Sequence, residues 1–462
     1  MLRFLALLTA LAVVVAACRD GGGGGEGRRA ADQRLEQAVT VDGVFKHLAA
    51  LQRIADENGG TRASGSPGFD ASVDYVVSQL RAAGYDPDVQ VFDFVYSHEA
   101  RPTRLERIAP SHATFAADDD FIVLGYSGSG DVSAAVHPVD PGTSSGCDPG
   151  DFDGFPAGDV ALLVRGGCFF FQKVGNAEAA GAAAVLVMND GSPGHERPLA
   201  ATLVRPTAEI PALGISHALG EGLGRGGTTV HVAADIANEQ RQTRNVCADL
   251  AGASDAPVVL VGAHLDSVAN GPGINDNGSG SATVLEIARQ ARRIGLRPER
   301  GLRFCFWAAE ELGLYGSGEY AKRLDGAGAD EIAAVLNFDM LGSPNFARLV
   351  YDGDAEPRGS AAIESEFRAW FAAHGIPLAE IELAGRSDHA PFAQLGIPVG
   401  GLFSGADEAK TDEEEREFGG ETGQPHDACY HSACDTLANV DRAALGPMAD
   451  AAAVVALRLA SA

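Results

Sequence analysis

Apolar residues recur at helical spacing in two early stretches, 41–58 and 67–83, and predict two helices. Pro67 stands at the start of the second and Gly84 just past its end, the positions these residues favour at helix termini. The stretch "VQVFDFV" that follows alternates and predicts a strand. From about residue 121 the pattern changes to Gly, Ala and Val, with strand, helix and strand in short order until Asp235. This block reads as an inserted module. The second half then alternates continuous apolar runs with helical patterns: "APVVLVGAHLD", "SATVLEIARQARRIG", "GLRFCFWAAEE", "LYGSGEYAKRL", "IAAVLNFDM", a helix near 360–374, "GIPVGGLF", and a helix from 441 onward. Buried-type strands alternating with helices predict an α/β, three-layer sandwich around a mostly parallel mixed sheet. In such sheets functional groups gather at the carboxyl ends of the strands.

The start of the chain differs from the rest. One Arg, an apolar run from Phe4 to Val15 and then small residues give 1–18 the layout of an export signal. "VAAC" resembles a lipobox, which makes Cys18 a candidate for lipidation; a plainly cleaved signal is the alternative. The glycine run that follows predicts a flexible tether over 19–40. The expected division is therefore signal 1–18, tether 19–40, main domain 41–120 with 236–462, and inserted module 121–235. Export as a cell-surface or outer-leaflet lipoprotein, or as a secreted protein, follows from that reading.

The 462 residues carry 35 basic against 63 acidic side chains, a net charge of −28. Such a surface repels nucleic acid and anionic membranes, so any membrane attachment would go through the lipid. Seven cysteines are present. With Cys18 set aside, the even remainder in an exported chain suggests disulfides. Proximity and presumed strand placement favour Cys147–Cys168, Cys247–Cys305 and Cys429–Cys434.

The apolar strands of the second half end in metal-competent residues. "VVLVGAHLD" supplies His264 and Asp266, "LRFCFWAAEE" supplies Glu310 and Glu311, and "AAVLNFDM" runs into Asp339. The octet "GINDNGSG" adds Asp276 in what by itself is ordinary turn chemistry, and "HDACYHSACDT" adds His431. Two imidazoles and three carboxylates form a mixed N/O set suited to zinc, with enough ligands for two ions. Adjacent side chains on a regular strand face opposite ways. Glu310 and Glu311 can reach one site only where the chain leaves the strand, with Glu311 as ligand and Glu310 as general acid/base.

The order His264-x-Asp266, Asp276-Asn277, Glu310-Glu311, Asp339, His431 resembles that of the di-zinc exopeptidases, the family of aminopeptidase Y and the secreted bacterial leucyl aminopeptidases. The resemblance runs over roughly 41–460, and the inserted block resembles a protease-associated domain, one that serves either as a passive spacer or as a substrate gate. It implies two zinc ions per chain, bridged by Asp276, with His264, His431 and Glu311 or Asp339 as further ligands. It also implies a cis Asp276–Asn277 peptide, an orienting role for Asp266 on His264, and oxyanion stabilisation by Tyr430. The stretch "GRSDHAPF" is similar to the family's pocket-forming loop, which makes Arg386 and Asp388 candidates for substrate binding and His389 a structural residue. The activity implied is removal of N-terminal residues from peptides by a metal-bridged hydroxide, with Glu310 as base. A carboxypeptidase of the same fold and a non-catalytic receptor-like protein are the alternatives. The acidic stretch from Asp407 to Glu421 reads as a solvated loop, with a cation site or a feature near the cleft as the other options.

Overall fold

The computed structural model describes residues 23–462, apart from 141, 143–144, 194, 325 and 383–384. The candidate signal segment, with Cys18, lies outside these residues. The expected tether is corrected from Gly23 onward, because Gly23–Ala38 forms a helix. Its later part is rich in the strong helix formers Ala, Arg, Glu, Gln and Leu. The helix packs on the C-terminal helix Arg442–Ala460, with Leu35 buried and Arg458 Nε donating to Asp32 at 2.9 Å.

The two early helices form at Val41–Glu57 and Pro67–Ala82, capped by the side chains of Thr40 and Ser66. In the second half, strands Val258–His264, Leu302–Trp307, Ile332–Phe338 and Val399–Phe403 lie side by side and parallel. Leu349–Tyr351 and Ala379–Ile381 extend one edge. Helices flank this sheet, and the last of them is apolar nearly all round because it is buried. The architecture is the expected mixed α/β sandwich.

A long antiparallel ribbon joins the main sheet to the module. Asp88–Ala109 pairs with Thr229–Leu250 along its whole length, from Asp88 opposite Cys247 to Ala109 opposite Thr229. The expected strand at 89–95 is thus only the start of a 22-residue one. Residues 96–109 lack clean alternation because that part of the ribbon is largely solvated, and Pro102, with no N–H to offer a ladder, sits at an interruption of the register. The expected module border at 235–236 falls in the middle of the returning strand. Within the module, Gly130–Pro138, Val160–Val164, Ala184–Met188 and Ala212–Ile215 run parallel, and Phe121–Val123 pairs antiparallel with the last of them.

The three disulfides pair as expected: Cys147–Cys168 in the module, Cys247–Cys305 between facing residues of adjacent strands, and Cys429–Cys434. The acidic stretch corrects the loop reading in part. Asp412–Phe418 is a helix, begun by a reciprocal cap in which Thr411 and Glu414 satisfy each other's backbone N–H.

Candidate metal centre and active site

The octet around Asp276 is no surface loop, since every residue from Ile274 to Gly280 is buried. Its glycines serve close approach. A Cβ on Gly280 would stand 2.1 Å from the Phe338 carbonyl oxygen, so only glycine lets this turn press against the strand that leads to Asp339. Asn277 completes the junction by donating to Phe338 O at 2.9 Å and accepting from Met340 N at 3.2 Å. The Asp276–Asn277 peptide is cis.

Glu310 and Glu311 reach one site for the reason the sequence suggests. The strand ends at Trp307, and Ala309, with φ of 55°, turns the chain off the sheet. Met340 and His431 are also left-handed, at 53° each. Non-glycine residues in this region cost about 1–2 kcal/mol and tend to cluster where function requires them.

Two ligand groups result, and they share one carboxylate. His264 Nε2 lies 3.3 Å from Asp276 Oδ1 and 3.2 Å from Asp339 Oδ1. His431 Nε2 lies 3.2 Å from Asp276 Oδ2 and 3.0 Å from Glu311 Oε2. Asp276 therefore turns one oxygen to each group. Glu310 belongs to neither; its Oε2 is 3.9 Å from His264 Nε2. The Tyr430 ring stacks on His431 at 3.8 Å, within the loop closed by Cys429–Cys434.

The electrostatics match a site built for cations. Burial alone would lower the pKa of both histidines, yet the surrounding carboxylates raise both well above the ordinary value: Asp339 and Glu310 for His264, Glu311 and Asp276 for His431. Burial, reinforced by the neighbouring carboxylates, raises Glu310 well above the usual carboxylate range. For Glu311, burial also raises the pKa. Glu311 Oε1 is buried without a hydrogen-bond partner. An orphaned carboxylate oxygen among crowded acids is the arrangement that divalent ions neutralise, so the donor set fits zinc.

A family model described as "Peptidase family M28" matches residues 245–456, and one for the PA domain matches 130–223. An aminopeptidase of Pseudomonas aeruginosa is 42% identical over 436 residues, which cover 91% of this chain and 81% of that protein. The chain belongs to peptidase family M28. A protein of Mycobacterium tuberculosis named "Probable lipoprotein aminopeptidase LpqL" is 41% identical over 431 residues, 89% of this chain and 83% of its own length. Among solved structures, the aminopeptidase from Aneurinibacillus sp. strain AM-1 superposes with a TM-score of 0.73 at 26% identity, covering 92% of this chain and 95% of that one. This M28 chain is a metallo-aminopeptidase with an inserted PA domain.

Other expected residues of the M28 site fall in more varied places. Asp266 is fully buried; its backbone carbonyl stands 3.2 Å from His264 Nδ1 and its Oδ1 3.7 Å away, while Oδ1 also accepts from Glu310 N at 3.2 Å. It thus meets both the histidine and the proposed base. Arg386 and Asp388 lie in different surroundings. Arg386 is exposed and 3.4 Å from Glu408, whereas Asp388 is 1% exposed beneath the cluster, where burial raises its pKa to about 7.

Three contributors were not found from sequence. Arg62, fully buried, donates through its guanidinium to the carbonyls of Leu265, Pro272 and Gly273, tying the end of the His264 strand to the Asp276 turn. Asp435 accepts from the backbone N–H groups of Asn275 and Asp276 at 2.8 and 2.9 Å. Ser387 donates to Asp339 Oδ2 at 2.6 Å. Asp435 follows directly on the cysteine that closes the His431 loop, a placement that could have singled it out. Arg62 left no signal beyond being a charge between turn residues.

Proposed function

We propose that this aminopeptidase holds two zinc ions, one at His264, Asp276 and Asp339 and the other at Asp276, Glu311 and His431, and that Glu310 is its general base. The observation that carries this reading is the shared carboxylate of Asp276, with Glu310 3.9 Å from His264 and in neither group. When bound, the zinc pair polarises a peptide carbonyl and acidifies water near neutral pH.

The protein's own groups then divide the work. Glu310, its carboxylate kept basic by burial, takes a proton from the attacking water and passes it to the leaving amine. Tyr430, whose hydroxyl burial keeps protonated, donates to the carbonyl oxygen as it becomes negative. Asp266 fixes the His264 ring and the Glu310 backbone.

Glu310→Gln should keep both zinc ions by elemental analysis yet hydrolyse leucine p-nitroanilide at least about a hundredfold more slowly, the scale of a lost acid–base group. Substantial turnover in that variant would remove Glu310 from the role. In the parent protein, a chelator should abolish hydrolysis and added zinc should restore it. Hydrolysis that survives exhaustive chelation would overturn the metal assignment.

For location, the motif ending at Cys18 supports export with a lipid on that cysteine. Cys18→Ser should abolish incorporation of labelled fatty acid; labelling that persists in the variant would exclude Cys18.

A further inference from the structure

Two cavities open beside His431, and both have the PA domain as one wall. One, of about 410 Å³, passes Tyr430 and Asp407 to Arg165 and Arg197. The other, of about 370 Å³, runs from Glu311 and His431 past Leu312 and Val268 to Ile122 and Leu124. Neither is lined by His264 or Asp339 among the described residues. Both cavities therefore extend from the His431 side of the shared carboxylate.

The second cavity has an apolar wall, and one residue of it lies outside the module's core. In the strand Phe121–Val123, successive side chains face opposite ways. All three border the second cavity, but Phe121 is in the module's core and Val123 packs against it, whereas Ile122 belongs to no core cluster and lines the first cavity as well. A half-buried isoleucine on the cleft side is unsatisfied apolar surface at the mouth of a catalytic site. Leu312, next in sequence to Glu311, lines the same cavity.

The chemistry of an aminopeptidase says what would enter. Its substrate has one residue before the scissile bond and all the rest after it, so space that leads away from the catalytic groups along one side belongs to the downstream portion. A volume of this size accepts a large side chain with part of its backbone. We propose that the cavity lined by Leu312 and Ile122 receives the side chain of the first residue after the scissile bond and favours apolar ones, with Ile122 as a specificity-determining residue. The PA domain is then part of the substrate site. The inference rests on the aminopeptidase reading.

The test compares ratios of kcat/KM. In the parent zinc enzyme Leu-Phe-Gly should be cleaved in preference to Leu-Asp-Gly, and Ile122→Asp should lower that ratio about tenfold or more, the scale of a lost apolar contact in a pocket. The ratio for leucine over alanine p-nitroanilide, which reports only the N-terminal residue, should move far less. Ile122→Ser, a milder change, should shift the tripeptide ratio in the same direction, and it covers the case in which the aspartate variant fails to fold. An unmoved tripeptide ratio in the folded variants, or a shift confined to the anilide ratio, would overturn the proposal. Failure of the parent enzyme to hydrolyse any anilide would strike instead at the activity on which it rests.

Discussion

Around His264 each ligand-bearing turn is tied to another by buried groups: Arg62 links the strand end to the Asp276 turn, Asp435 holds Asn275 and Asp276 from the His431 loop, and Asn277 clasps the main chain on both sides of Asp339. The PA domain meets the same cleft more loosely. Its ribbon continues from the main sheet, and Tyr126 donates to Val95 O at 2.8 Å. At the rim, however, Arg165 reaches Asp407 at 3.1 Å, with His195 3.7 Å from the same carboxylate, and the Asp407 side chain is 31% exposed. The contrast follows from what each region must do. Ligand atoms must keep their separations to a few tenths of an ångström, which requires several buried restraints per turn. A wall that admits peptides of differing sequence needs only enough contact to stay near the cleft.

The sharpest way to break this comparison is to remove what the two halves of the cluster share. Asp276→Asn should lose zinc from both groups together and fall below about a hundredth of the parent activity, given that even indirect partners of metal ligands cost 10–100-fold. Retention of one full equivalent of zinc would mean that the halves are independent. Next in size is Arg62→Met. It leaves three buried carbonyls without their donor and removes a buried cation that faces Asp266, Asp276, Glu311 and Asp435, a group whose own pKa burial pulls down to about 10. Breaking a buried charge network of this kind costs about 3–5 kcal/mol, to be read from urea unfolding of the metal-free protein. A loss below about 1 kcal/mol would show that the floor is not held as described.

The same contrast explains what was legible in the sequence. The proposed ligands His264 and Asp339 stand at the ends of apolar strands, and a strand's pattern announces its end. Glu310 and Glu311 were readable because two adjacent acids cannot share one side of a strand. Arg62 was not, because its partners are backbone carbonyls more than 200 positions away, and carbonyls have no sequence signature. Arg386 and Asp388 were read together as candidates for substrate binding, and only packing shows that one is exposed and the other buried. The tether failed at Gly23 because glycine content outweighed the helix-forming stretch behind it, whose burial depends on a partner helix at the far end of the chain. The ribbon's outer half was missed since pairing, not hydrophobic pattern, defines it.

The smallest expected effect lies at the rim. Arg165→Ala removes the ion pair with Asp407 and the hydrogen bond to Asn189 at 3.2 Å. Partly exposed pairs contribute about 0.2–1 kcal/mol, so the midpoint of thermal unfolding should fall by no more than a few degrees. Raising the salt concentration should narrow the difference between variant and parent, because screening weakens in the parent the contact that the variant lacks. Zinc content should not change. A stability loss comparable to that of Arg62→Met, or a loss of zinc, would mean that the PA domain is clamped to the cluster as firmly as the ligand turns are to one another, and the distinction between rigid floor and adaptable wall would fall.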